Sequence, residues 1–163
     1  MKISPAIKGI ITAALMTGII LLIYNMGKNG DTRLQYAVYG IYALGIVWTL
    51  VAFRQTASFT GTFGNLFNQG FKCFIVVTLI MALFYGIFNY SHPEFAEESS
   101  KIYKEQLLSE KNGSKTPDEI EEATRSYKKG YNMAVVYGSI FGYLIIGVAV
   151  TAAISVFLIK RKE

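Results

Sequence analysis

Four stretches of the chain, Gly9 to Met26, Leu34 to Phe53, Cys73 to Tyr90 and Tyr131 to Ile159, contain no charged residue. Roughly 20 apolar residues in a helix span a hydrocarbon core of about 30 Å, and each run approaches or exceeds that length. A soluble bundle would need a polar face on every helix, and uncharged runs of this size leave none. The pattern predicts an all-α fold, an integral membrane four-helix bundle forming one membrane domain over residues 1–163, with spans at about 9–26, 34–53, 71–90 and 131–159. Composition agrees, since 52% hydrophobic residues is too apolar for an ordinary soluble domain.

The first run follows Lys2 and Lys8, as the apolar part of a signal peptide would, but Asn25, Met26, Gly27 and Lys28 supply no small-residue cleavage site. An uncleaved anchor is expected. The lone cysteine, Cys73, cannot close an internal disulfide and stands among Phe74, Ile75 and Val76, so it reads as a small packing residue. Four crossings place both termini and the segment after the second span on one side. Lys2, Lys8, Arg54, Lys72, Lys160, Arg161 and Lys162 crowd the helix ends there, while Glu94, Glu97, Glu98, Glu105, Glu110, Asp118, Glu119, Glu121 and Glu122 fill the long loop opposite. Raw Lys/Arg counts do not decide the orientation, but basic residues tight against the spans favour cytoplasmic termini and a periplasmic loop over 91–130. The formal charge of +5 is dispersed, with no basic stripe interleaved with stacking aromatics, so nucleic-acid binding is not expected.

Between the second and third spans, residues 54–70 continue into Phe71 with phenylalanines at 59, 63, 67 and 71. Residues four apart on a helix are displaced by about 40°, so Phe59, Phe63, Phe67 and Phe71 make one apolar stripe, which Leu66 extends. Thr60, Thr62, Asn65, Asn68 and Gln69 fall largely off it, and Arg54 and Lys72 bracket it. The expectation is an amphipathic helix in the membrane interface. Gly61, Gly64 and Gly70 weaken it, so breaks or close backbone contacts are expected; a re-entrant element lining a cavity is the alternative. Lys72 would sit at the start of its span and snorkel to the interface.

The long loop has the punctuation of two helices. Ser91 with Glu94 reads as a capping box, Asn112-Gly113 as a stop, and Thr116, Pro117 and Glu119 as a second start whose acids precede Lys128 and Lys129. Together they predict a small extracytoplasmic helical cap. Its carboxylates lack EF-hand spacing and read as a solvated face, and Asn112-Gly113-Ser114 is a glycosylation sequon of low specificity. His92, beside Pro93, is expected to be exposed and structural, with no second His or paired Cys to complete a zinc site.

Within the spans no charged residue offers the proton relay that coupled transporters need. What they offer is small residues for close helix approach: Gly138 and Gly142 in a GxxxG, Gly147 beyond them, Gly9-Ala13 and Ala14-Gly18, and the region of Gly40 and Gly45. Such faces serve packing within one bundle, or docking of a second copy or a partner protein.

The motifs SPAIKGIITA, TFGNLFNQGF, HPEF and GYLIIGVAVTAAISVFLIKRK, in this order, resemble the bacterial membrane family catalogued as domain of unknown function 4199. The resemblance implies a four-helix inner-membrane protein with a helical loop between its third and fourth helices. It carries no catalytic residues across. It also implies proximity to polyprenyl-phosphate glycosyltransferases, and so envelope glycan or lipid work. The expected function is a non-enzymatic accessory or scaffold subunit of an inner-membrane assembly, in contact with membrane lipids, without a cofactor, as a homo-oligomer or beside a membrane-protein partner. The alternative is a small transporter or lipid-handling channel without proton coupling. An enzyme ranks third, because acid/base, nucleophilic and metal constellations are missing from the spans.

Overall fold

The computed structural model describes residues 3–27, 32–109 and 116–159, and these are helical apart from short connections. The helices are α1 (Pro5–Asn25), α2 (Thr32–Arg54), α3 (Phe63–Ser91), α4 (Glu94–Ser109) and α5 (Pro117–Ile159). Among the described residues, α1, α2 from Arg33, α3 and α5 are long and apolar enough to cross a membrane. At about 1.5 Å per residue, α1 rises roughly 32 Å, α3 roughly 44 Å and α5 roughly 64 Å.

The described residues form two compact units. One contains α1, α2, α3 as far as Met81 and α5 from Ile140. Each helix contributes a stripe at spacings of three and four: Gly9, Thr12, Ala13 and Met16 on α1; Val38, Tyr42, Gly45, Ile46, Thr49 and Leu50 on α2; Leu66, Gly70, Cys73, Phe74, Val77, Thr78 and Met81 on α3; Tyr143, Gly147, Thr151, Ser155 and Leu158 on α5. Threonines fit these stripes because Thr12 and Thr78 donate their hydroxyls at 2.8 Å to the carbonyls of Lys8 and Phe74, four residues back. Thr49 donates likewise to Gly45 at 2.9 Å. A polar bond joins α2 to α5: the Tyr42 hydroxyl, fully buried, donates to the Tyr143 carbonyl at 2.9 Å, and the two rings meet edge to face.

Glycines set the distances between these helices. A Cβ on Gly9 would fall 2.7 Å from the Cys73 carbonyl oxygen, one on Gly45 inside the Thr12 side chain, and one on Gly70 against the Thr151 side chain. On Gly147 it would stand 2.5 Å from Tyr42 Oη and 2.7 Å from Phe74 Cγ. In turn these contacts join α1 to α3, α1 to α2, α3 to α5, and α5 to both α2 and α3.

The second unit contains α3 from Ala82, α4 and α5 up to Ser139. Tyr103 of α4 stacks on Tyr127 of α5 with centroids 4.5 Å apart, Glu97 meets Lys128 at 3.5 Å, and Ile120 is buried. Phe84, Phe88, His92 and Phe95 form a chain of ring contacts, with Phe88 and His92 centroids 4.7 Å apart.

Three local expectations change. The phenylalanine segment is not a helix of its own: residues 55–62 form turns, Gly61 adopts φ 78°, and α3 starts at Phe63 and runs unbroken to Ser91. A positive φ is open to glycine at little cost and breaks the helix there, and Thr62 then caps the new one, its Oγ1 accepting from the Asn65 N–H at 3.4 Å. Ser91 is the last residue of α3 and not the cap of α4, while Glu94 pairs with His92 at 2.7 Å. The capping box at Thr116 forms, with Glu119 Oε2 accepting from the Thr116 N–H at 2.7 Å and Thr116 Oγ1 from the Glu119 N–H at 3.4 Å. The helix it starts does not stop at Lys129 but continues to Ile159, because Gly130 alone, without a proline, costs roughly 1 kcal/mol and cannot break so long a helix. Asn112-Gly113 and the sequon lie outside the described residues.

Gly147→Ala should lower the unfolding midpoint in detergent by an amount equivalent to about 1–3 kcal/mol, as overpacking does. Gly138→Ala, with nothing within 4 Å of its Cβ position, should leave it unchanged or raise it slightly.

Candidate functional site

Helix α1 begins four residues before the uncharged run, because Ser4 accepts from the Ile7 N–H at 3.3 Å as N-cap and Pro5 supplies the first helical residue. Lys8 therefore lies inside the helix, on the same face as Thr12, four residues on. It is only 7% exposed. Its Nζ stands 5.3 Å from the centre of the Trp48 ring, on the last turns of α2. Among the described residues Nζ has no hydrogen-bond acceptor and no carboxylate at ion-pair distance.

A crevice of about 530 Å³ opens beside this pair. Ile3, Pro5, Ala52 and Phe53 supply apolar wall, and Ser4, Thr49, Gln55, Thr56 and Ser58 supply hydroxyl and amide groups. The turn that follows α2 holds the rim: Thr56 Oγ1 donates to the Phe53 carbonyl at 2.7 Å, and Phe59 packs edge to face on Phe53. Behind the wall, Thr49 Oγ1 lies 3.3 Å from the buried Cys73 Sγ. The arrangement puts one cation without an anionic partner in a crevice lined by both apolar and polar side chains. A second groove, on the α5 face of Asp118, Glu121, Glu122, Arg125, Ser126 and Lys129, is a solvated charged surface, and no group of three or more His, Cys, Asp or Glu side chains among the described residues could hold a metal ion.

The residues singled out by sequence are distributed differently. Gly45 and Gly147 lie at tight helix contacts, whereas Gly40, Gly138 and Gly142 meet nothing within 4 Å and open onto the surface. Phe63 and Phe67 stack on each other at 5.5 Å, Phe71 meets Phe74 edge to face, and Phe59 belongs to the preceding turn. Phe63 and Phe71 stay exposed, and Leu66, expected to extend their stripe, instead heads the buried face of α3. Lys72 is exposed but well inside α3, because the helix starts at Phe63. His92 is half-buried against Phe88 and Phe95 and not free in solvent. Lys8 and Trp48 were not foreseen as a pair; the available signal was the Ser4-Pro5 helix start, which draws Lys8 into the span.

Four membrane-length helices define a multi-pass membrane protein. The chain belongs to the family described as protein of unknown function DUF4199, with a match over residues 6–160. No curated protein and no solved structure matches it.

Burial of Cys73 and openness of the crevice rim give a direct check. In the folded protein Cys73 should resist a water-soluble maleimide until the bundle unfolds, whereas a cysteine at Ser58 should label readily; fast native labelling of Cys73 would contradict this packing.

Proposed function

We propose that the chain is a non-enzymatic accessory or scaffold subunit of a bacterial inner-membrane assembly, with cytoplasmic termini and residues 91–130 in the periplasm. The observation that carries this reading is the division among the glycines. Gly9, Gly45, Gly70 and Gly147 are occupied by the chain's own helices, while Gly138 and Gly142 lie open on α5 beside the exposed Phe141 and Ile145. A small-residue face flanked by large apolar side chains admits another helix to close range, and in lipid such packing, not hydrophobicity, drives association. The occupant would be a second copy or a membrane-protein partner, for which a polyprenyl-phosphate glycosyltransferase of envelope glycan or lipid metabolism is the proposed example.

A second reading, handling of a lipid without proton coupling, draws support from the crevice at Lys8. It needs a group that recognises a headgroup, and a buried cation beside apolar wall is such a group.

Crosslinking in native membranes followed by mild-detergent purification should recover a stoichiometric partner or oligomer. Gly138→Ile with Gly142→Ile should reduce that recovery severalfold while Cys73 stays protected. A clean monomer, unlinked in native membranes, would contradict the assembly reading.

A further inference from the structure

Lys8 occupies a position that is unfavourable for two independent reasons. Its side chain is largely buried with no anion beside it, and it lies within the first turns of α1, where the helix dipole already places positive charge and no acidic residue offsets it. The Trp48 ring attracts the cation but, being neutral, leaves the charge uncompensated. An anion entering the crevice would remove both penalties at once.

We propose that this crevice binds the phosphate headgroup of an anionic membrane amphiphile, with Lys8 as counter-charge. Gln55 and Ser58 offer amide and hydroxyl donors to the phosphate, and Ile3 and Phe53 supply apolar lining for an acyl or glyceryl portion. Mixed lining separates this site from one for free phosphate: a small, fully hydrated anion gains nothing from apolar wall, whereas an amphiphile gains from both kinds of lining. The location fits, because the crevice is built at the start of one membrane-length helix and the end of another, and tryptophan favours such ends. The proposal is independent of the assembly reading, which concerns the open face of α5.

The chain carries its own probe, since Trp48 is its only tryptophan. The full chain in phosphatidylcholine nanodiscs would be titrated with dihexanoyl phosphatidic acid, dihexanoyl phosphatidylcholine and inorganic phosphate while Trp48 emission is followed. Phosphatidic acid should give a saturable change, the zwitterionic lipid none, and inorganic phosphate a response at least tenfold weaker, on the scale of a lost charge-assisted or apolar contact. Lys8→Met should weaken half-saturation on the order of tenfold or more without lowering the unfolding midpoint, because it removes an uncompensated charge; a merely structural lysine would lower it. Lys72→Met, which alters an exposed lysine elsewhere, should bind as wild type. No saturable response to phosphatidic acid, an equal response to the zwitterionic lipid, or an unchanged Lys8→Met would overturn the proposal. Inorganic phosphate binding as tightly as phosphatidic acid would overturn the amphiphile assignment. The wild-type comparison of headgroups decides the charge claim even where a variant fails to fold.

Discussion

Close approach of helix backbones at glycine is the contact on which the bundle depends. Lipid surrounds a membrane helix with material as apolar as its own side chains, so burial of leucine or phenylalanine cannot by itself bring helices together. Dispersion and short polar contacts remain, and both need proximity. In this chain Gly9, Gly45, Gly70 and Gly147 supply it, each where a single added methyl group would strike a neighbouring helix. The bond from Tyr42 to the Tyr143 carbonyl is a consequence, because Gly147 leaves room for the Tyr42 hydroxyl and for Phe74 beside it.

That tight packing also governs the candidate site. Gly9 draws α1 onto α3 and Gly45 draws α2 onto Thr12 of α1, so Lys8, one residue before Gly9, has little freedom to swing away from α2. Trp48, within a turn of Gly45, faces it. A charge that a looser bundle would release to water is held in a cleft, and the cleft thereby acquires an electrostatic preference for anions. Structure and binding chemistry thus share one cause.

The helices were legible in the sequence because uncharged runs near the length of a bilayer core admit few other folds. Helix ends were less so. α1 starts at Pro5 and not Gly9 because capping, not hydropathy, decides where a helix begins, and hydropathy alone set Lys8 outside the span. α5 carries through Gly130 because an apolar segment and a charged one can share a helix when nothing breaks it. The phenylalanine spacing pointed to a helix but not to its buried side: Leu66 and Gly70 pack inward while Phe63 and Phe71 stay exposed, because Gly70 is where α5 approaches closely enough to fix the inward face. For the same reason a GxxxG pattern could not say which glycines the chain uses itself. Gly147 is filled from within and Gly138 is not, a difference that depends on the partner surface and not on the motif.

Disulfide closure between Gly70→Cys and Thr151→Cys, in a Cys73→Ala background and in native membranes, tests glycine-mediated packing most directly. A Cβ on Gly70 would lie 3.2 Å from Thr151 Cβ, within a few tenths of an ångström of the separation a disulfide adopts. Rapid, nearly complete intramolecular oxidation of this pair is predicted, with none for Gly40→Cys paired with Thr151→Cys. Failure of the first pair to close, or equal closure of both, would contradict the account.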